Sequence, residues 1–389
     1  MRAHVDDHGD DEKDEIDPRE RHVIVHFPCV HKGGERQEDE PQQRHQPLMV
    51  KRAVEIIAEE KQQHQNDSWR KHEQGNQQTA GHKWPHLPGD LYRRVPFFYT
   101  GCIQYLLVRF ALFTLDWGPR WFSFAIARSY TRLLDLFLPR LRGVARRNLE
   151  LAGYPADERE AIIDGVFASV ARLLVTFARF PRMNRGNIGQ WIRYEGLEHF
   201  EEAKRHGRGV LFATAHFGNW ELSAFAHGLL TEPMNVVVRP LDNAAVDALV
   251  EARRQLSGNR LIQKRDAARG ILRALASNEA VGILVDQNSS LAEGVFVDFF
   301  GVPACANVAF AKIAARSGAA VIPGFAVWEP AESRYVLRFY PAVEITGDAH
   351  ADTQRLHSLL ESVIRRNPGQ WLWIHRRWKT RPPSEGPVY

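Results

Sequence analysis

The sequence predicts an α/β fold with a mainly parallel central sheet flanked by helices, preceded by a membrane-associating helix and a helical subdomain. Three observations carry that reading. Strand-length apolar runs such as "RGVLFATAH", "AVGILVDQ" and "AAVIPGFAVW" recur through the second half of the chain. Segments with apolar residues at helical spacing alternate with them, an order that favours parallel pairing with helices on the sheet faces. Upstream, "PFFYTGCIQYLLVRFALFTLDW" is an apolar and aromatic run long enough to cross a bilayer.

Residues 1–95 stand apart. They hold 15 Lys/Arg and 19 Asp/Glu, against 36 and 28 in the remainder, so an acidic extension precedes a basic body. Ten of the 17 histidines fall within residues 1–90, among runs such as "DDHGDDEKDEIDPRE" and "EEKQQHQNDSW". So little apolar surface does not offset the entropy of ordering, and a disordered extension is expected, with "VKRAVEIIAEE" as a short helix inside it. A His-rich tract invites a metal-binding reading, but the spacings are irregular and no cysteine supports them. The alternative for the whole segment is a true start downstream, at Met49 or a non-Met codon. No cleavable secretory signal pattern opens the chain. Cys29, Cys102 and Cys305 have neither metal-ligand nor disulfide spacing, which fits a reducing compartment.

Residues 96–139 read as a membrane-anchoring helical segment. Arg109 interrupts its first apolar run, at a cost of about 2.5–3.5 kcal/mol on insertion scales. Trp117, Arg120, Trp121 and Arg128 then supply interfacial residues around a second apolar helix, "WFSFAIARSYTRLLDLFLP". The anchor either spans the bilayer or lies in one leaflet; two helices of a soluble core are the alternative.

Residues 140–389 form the remaining domain. A helix is expected from about Ala156, with acidic residues in its first turn and Ile162, Val166, Val170, Leu173, Leu174 and Phe177 at helical spacing. The alternation follows: strand "RGVLFATAH", helix "ELSAFAHGLL", strand "MNVVVRP", helix "AAVDALVEARRQL", strand "RLIQK". The helix "DAARGILRALAS" is capped by Asp266, and strand "AVGILVDQ" follows it. Helix "NVAFAKIAARSG", strands "AAVIPGFAVW" and "RYVLRFYPAVEI", and helix "DTQRLHSLLESVIRRN" lead to a tryptophan-rich tail.

The stretch "ATAHFGNWEL", residues 213–222, places His216 five positions before Glu221. On one continuous helix that spacing puts the two side chains about 140° apart, out of reach. A strand ending at His216 and a helix starting beyond Gly218 changes the geometry, because Glu221 then lies in the first helical turn and reaches back to the imidazole. Gly218 permits the tight turn and Asn219 is a good cap. A carboxylate on one ring nitrogen fixes the tautomer and leaves the other free to accept a proton. No G-x-S-x-G elbow and no positioned cysteine supplies a protein nucleophile, so the pair is expected to activate a substrate hydroxyl for attack on an acyl carbonyl. Arg239 and Asp286 each close an apolar strand, where ligands gather in open parallel sheets. A surface ion pair for Arg239 and a loop cap for Asp286 are the alternatives.

The motif "HFGNWE" resembles the His-x-x-x-x-Asp/Glu motif of the lysophospholipid acyltransferase superfamily, in the Glu form of the bacterial lipid A biosynthesis (lauroyl/myristoyl) acyltransferases. The blocks "VVVRPLDN", "KRDAARGILRAL", "VGILVDQN", "EGVFVDFFGVPA", "AVIPGF" and "QWLWIHRRWK" follow in the family's order, over roughly residues 100–380. The resemblance implies a glycerolipid acyltransferase-like fold, with His216 as general base and Glu221 as its orienting partner. It places Arg239 on the polar head of the acceptor or donor and Asp286 as a second acidic site residue; Asn219 joins them in the substrate-binding set. It implies an acyl carrier protein donor, a lipid A precursor or similar glycolipid as acceptor, and the cytoplasmic face of the bacterial inner membrane, with no metal or redox cofactor. Another lipid acceptor, or a non-catalytic membrane-binding protein of the same fold, are the alternatives. "CANVAF" replaces the hydroxyl-bearing sequence that usually follows "GVPA" in the family, which bears on acyl-chain preference.

Arg253, Arg254, Arg260, Lys264 and Arg265 lie close along the chain and would suit an acidic carrier protein; a solvated helix face is the alternative. An acyl-chain groove is expected from "GVFVDFFG" and the N-terminal helices. Backbone N–H groups at the start of the helix after His216 are candidates for an oxyanion hole. The tail "WLWIHRRWKTRPP" mixes aromatics and cations as an interfacial anchor does. It could stack on single-stranded nucleic acid, but nothing else in the chain supports that and no nucleic-acid partner is expected.

Overall fold

A computed structural model describes residues 91–264 and 267–389. The readings made for residues 1–90, the cap assigned to Asp266 and the place of Arg265 in a basic patch lie outside the described residues. Four helices come first: α1 (Leu91–Asp116), α2 (Arg120–Phe137), α3 (Pro139–Leu151) and α4 (Ala156–Arg179). Asp157 and Glu158 occupy the first turn of α4 and Arg179 its last, complementing the helix dipole. Arg179 is buried and ties the first two helices together, its guanidinium donating to Leu115 O, Gly118 O and Ser123 Oγ.

The sheet then builds from β1 (Ile192–Glu195), α5 (Leu197–Arg205), β2 (Val210–Thr214), α6 (Trp220–Leu230), β3 (Asn235–Val238), α7 (Ala244–Gln255), β4 (Arg260–Gln263), α8 (Ala267–Ala276) and β5 (Ala280–Leu284). After these come β6 (Gly294–Phe299), β7 (Val302–Asn307), α9 (Ala309–Ser317), β8 (Ala320–Glu329), β9 (Arg334–Phe339) and α10 (Ala349–Arg366). Seven strands pair in the order β1-β9-β8-β2-β5-β3-β4. Among the described residues β8 and β9 form its one antiparallel pair, and every other neighbour runs parallel.

Alternating residues of β2 explain the layering. Val210 and Phe212 face one core, shared with α1, α4, α5 and α6, while Leu211 and Ala213 face a second, shared with α8, α9 and α10. Helices therefore cover both faces, as an apolar parallel sheet requires. A third core joins α3, α4 and α10 to Phe299, Phe300 and the tryptophans of the tail. There β6 and β7 form a hairpin that the alternation of strands and helices did not reveal. Its two-residue turn, Phe300-Gly301, has φ of 60° and 76°, the left-handed pair that matches strand twist. β1 and α5 are likewise elements that sequence patterning passed over.

Two expectations are corrected here. The tail is no interfacial anchor: Trp371, Trp373, Trp378 and Arg377 are almost wholly buried. Asn148 of α3 holds the tail by donating to Trp373 O and His375 O at 2.6 and 2.7 Å. The segment "GVFVDFFG" lines no groove at the site: Phe299 and Phe300 pack into that same third core, and none of its residues lines the cavity at His216.

Among the described residues, Ala156–Arg182 is the stretch long and apolar enough to cross a membrane, and most of it is buried as a core helix. α1 differs. Leu112 and Leu115 pack inward, whereas Ile103, Leu106, Leu107, Phe110, Phe113 and Trp117 are all more than half exposed. Their spacing places them along one side of the helix. At the other end of α2, Leu136 and Phe137 are bare as well.

Candidate active site

The site grows from the carboxyl ends of adjacent parallel strands. β2 stops at Thr214, and the chain turns through His216 and Gly218 into α6. Gly218 has φ of +58°, and a Cβ there would stand 1.8 Å from Ala326 O, so no other residue fits this approach. Asn219 caps α6, its Oδ1 accepting from Leu222 N at 3.0 Å while its amide donates to Thr176 Oγ1 at 2.7 Å; such a cap contributes about 1 kcal/mol. Fully buried and doubly bonded within the protein, Asn219 sets the turn and is not free for a substrate.

Register explains what His216 meets. β2 and β5 pair in parallel with Thr214 opposite Leu284, so two residues further on His216 stands beside Asp286. The ring Nδ1 lies 2.9 Å from Asp286 Oδ1. The His216 backbone N–H donates to Oδ2 at 2.9 Å, and the indole N–H of Trp371 donates to the same oxygen at 2.8 Å. Asp286 is buried and held at both oxygens. Desolvation by itself raises its pKa; the charge of His216 and the three hydrogen bonds outweigh that and hold the carboxyl well below the usual range. For His216, burial pulls the pKa down. The charge and hydrogen bond of Asp286, followed by the charge of Glu221, reverse this and leave it above the ordinary imidazole value.

The geometry corrects the expected pairing of His216 with Glu221. Glu221 does lie in the first turn of α6, but it turns toward α7. There Arg254 grips it with both arms of the fork, Nε to Oε2 at 2.9 Å and Nη2 to Oε1 at 2.5 Å. A bidentate guanidinium–carboxylate pair outcompetes a bond to a neutral ring. The expected basic patch is broken up accordingly: Arg254 faces Glu221, and Arg260 is paired with Glu279. The oxyanion candidates narrow too, because the N–H groups of Phe217, Gly218 and Asn219 are taken by Ala215 O, Gln370 O and Ala326 O. Among the described residues the first free N–H groups of α6 are those of Trp220 and Glu221.

His216, Glu221 and Arg254 line a cavity of about 930 Å³ between α6 and the sheet. Its inner wall is apolar, formed by Phe212, Phe225, Met234, Val236, Leu337 and Phe339. Gly282 and Gly324, in two central strands, also line it; a Cβ there would meet Met234 Cε at 2.6 Å and Phe339 Cδ1 at 3.0 Å, so the glycines make room for the side chains of the inner wall. Arg239, just past β3, joins Lys264, Arg376 and Lys379 on the polar part of the lining. Sequence reading had not singled out Trp371, Gln287, His375, Arg376 or Lys379 as site residues, although the tail block held four of them.

A buried imidazole–carboxylate pair thus stands at the strand ends of an α/β fold, beside an apolar cavity with a cationic rim. Residues 97–380 match the sequence model of the family described as bacterial lipid A biosynthesis acyltransferase. The chain is 33% identical over 257 residues to the lipid A biosynthesis palmitoleoyltransferase of Escherichia coli, covering 65% of this chain and 83% of that protein. It is 30% identical over 252 residues to the lauroyltransferase of the same organism, covering 63% and 81%. With the myristoyltransferase the figures are 24% over 230 residues, 59% and 71%. This chain belongs to that family and is an acyltransferase.

Proposed function

We propose that the protein moves a fatty acyl group from an acyl carrier protein thioester to a hydroxyl of a lipid A precursor or similar glycolipid, working at the cytoplasmic face of the inner membrane. The observation that carries this reading is His216, held through Nδ1 by Asp286 while the ring lines an apolar cavity. With Nδ1–H donating a hydrogen bond to Asp286, Nε2 takes the proton of the acceptor hydroxyl as its oxygen attacks the thioester carbonyl. The tetrahedral intermediate collapses, the carbon–sulfur bond breaks, and the imidazolium returns the proton to the departing thiolate. Asp286 stabilises the imidazolium, and Glu221, the fifth residue after His216, adds its charge to that field, offset in part by the guanidinium of Arg254. Trp220 and Glu221 N–H groups are placed early enough in α6 to receive the oxyanion. Arg239, with Lys264, Arg376 and Lys379, meets anionic groups of the acceptor or of the donor.

The names of the relatives support the acceptor class, and the mass spectrum of lipid A with and without the gene tests it. The expected result is loss of one acyl chain from lipid A; an unchanged lipid A accompanied by the loss of an acyl chain from another lipid contradicts it.

Residues 96–139 are proposed as the membrane anchor and residues 140–389 as the acyltransferase domain. The bare apolar side of α1 supports this, since each Leu or Phe taken out of water contributes roughly 1.5–3 kcal/mol. Changing Leu106, Leu107, Phe110 and Phe113 together to serine is expected to move the protein from the vesicle pellet to the supernatant in a co-sedimentation assay. Pelleting equal to wild type would contradict the anchor.

A further inference from the structure

His227 lies on α6, about 10 Å along the helix axis beyond Trp220, whose ring packs 5.1 Å from that of His216. It is 2% exposed, and among the described residues neither ring nitrogen has a hydrogen-bond partner. The rings of Phe200, Phe212 and Phe339 surround it edge to face at 4.7, 5.1 and 6.0 Å. With Phe212 and Phe339 it lines the same cavity as His216. Burial first, and the charge of Lys204 second, push its pKa down to about 3, so the ring is neutral. A buried polar atom without a partner costs roughly 1–3 kcal/mol. An apolar side chain of similar volume would fill the position without that cost, so packing does not account for an imidazole here.

We propose that His227 sets acyl-chain length: its ring is the inner stop of the cavity, against which the methyl end of the donor chain rests. The proposal builds on the reading that the cavity holds the acyl chain. A flat ring locked between three phenylalanines cannot fold aside as a methionine or leucine can, so a chain one or two methylenes too long must displace aromatic neighbours. One methylene more or less in an apolar pocket changes the specificity ratio by about 10–200-fold, enough to define a preferred length.

The test is the chain-length profile of kcat/KM over a series of saturated acyl thioesters, measured for wild type, His227→Ala and His227→Phe, with folding followed by thermal melting. Val236→Phe, which fills the cavity from β3, serves as the comparison. His227→Ala is expected to raise the ratio of the next longer donor to the preferred one at least about tenfold, and His227→Phe to lower it or leave it. A wild-type profile in both His227 variants overturns the proposal. If Val236→Phe then shifts the profile, the acyl-chain reading of the cavity survives and the assignment of His227 alone has failed. If Val236→Phe is also without effect, the acyl-chain reading fails with it.

Discussion

Replacing His216 by alanine is expected to lower kcat by about two to four orders of magnitude while the protein still sediments with vesicles. Nδ1 of His216 is held by Asp286, its ring lines the cavity, and at Nε2 it has the Gln287 amide 3.5 Å away. Its neighbours are occupied: Glu221 is clamped by Arg254, and Asp286 holds the ring itself. Acyl transfer retained at the wild-type rate, measured by mass spectrometry of the acylated lipid, would remove His216 from the mechanism.

Asp286→Asn is expected to cost a comparable amount, up to about 10⁴ in kcat, and to shift the pH dependence. The asparagine side chain has no charge to stabilise an imidazolium, and its amide can donate to Nδ1 and so force the proton onto Nε2. In the wild type the His216 pKa lies above the ordinary imidazole value because Asp286 outweighs burial. The base is active only when neutral, so kcat/KM should climb as pH rises through that elevated value. Without the carboxylate, burial remains as the larger influence and lowers the pKa. The acid limb of the variant's residual activity therefore moves to lower pH. A limb that stays in place, with kcat unchanged, would mean that Asp286 does not act on the base.

Much of this architecture was legible because buried parallel strands advertise themselves. "VLFAT" and "AVGIL" are continuous apolar runs, and each is followed by the polar residue that enters the site. The turn at Gly218 and the cap at Asn219 were legible for the same kind of reason, since each local conformation admits few residues. What sequence spacing could not give was partner choice. Glu221 is near His216 along the chain, whereas Asp286 is 70 residues away and reaches it only through the register of β2 on β5. A signal was present: both residues stand two places past the last paired residue of an apolar strand. The β6–β7 hairpin escaped because Phe-Gly is an unusual pair for its turn. The tail misled because tryptophans beside arginines describe a membrane interface and a buried aromatic cluster equally well. Asn148, which donates to the carbonyls of that tail, and Asp286, which accepts from its Trp371 indole, lie far upstream.

The central claim is that His216 keeps its proton on Nδ1, donated as a hydrogen bond to the ionised Asp286, and uses Nε2 as the base. The ¹⁵N NMR spectrum of histidine-labelled protein, with the His216 signals assigned by their loss in His216→Ala, tests this directly above the pKa of the ring. The account predicts a protonated Nδ1 and an unprotonated Nε2 in the wild type, and loss of that tautomer in Asp286→Asn. A proton resting on Nε2 in the wild type, with Nδ1 bare, would contradict it.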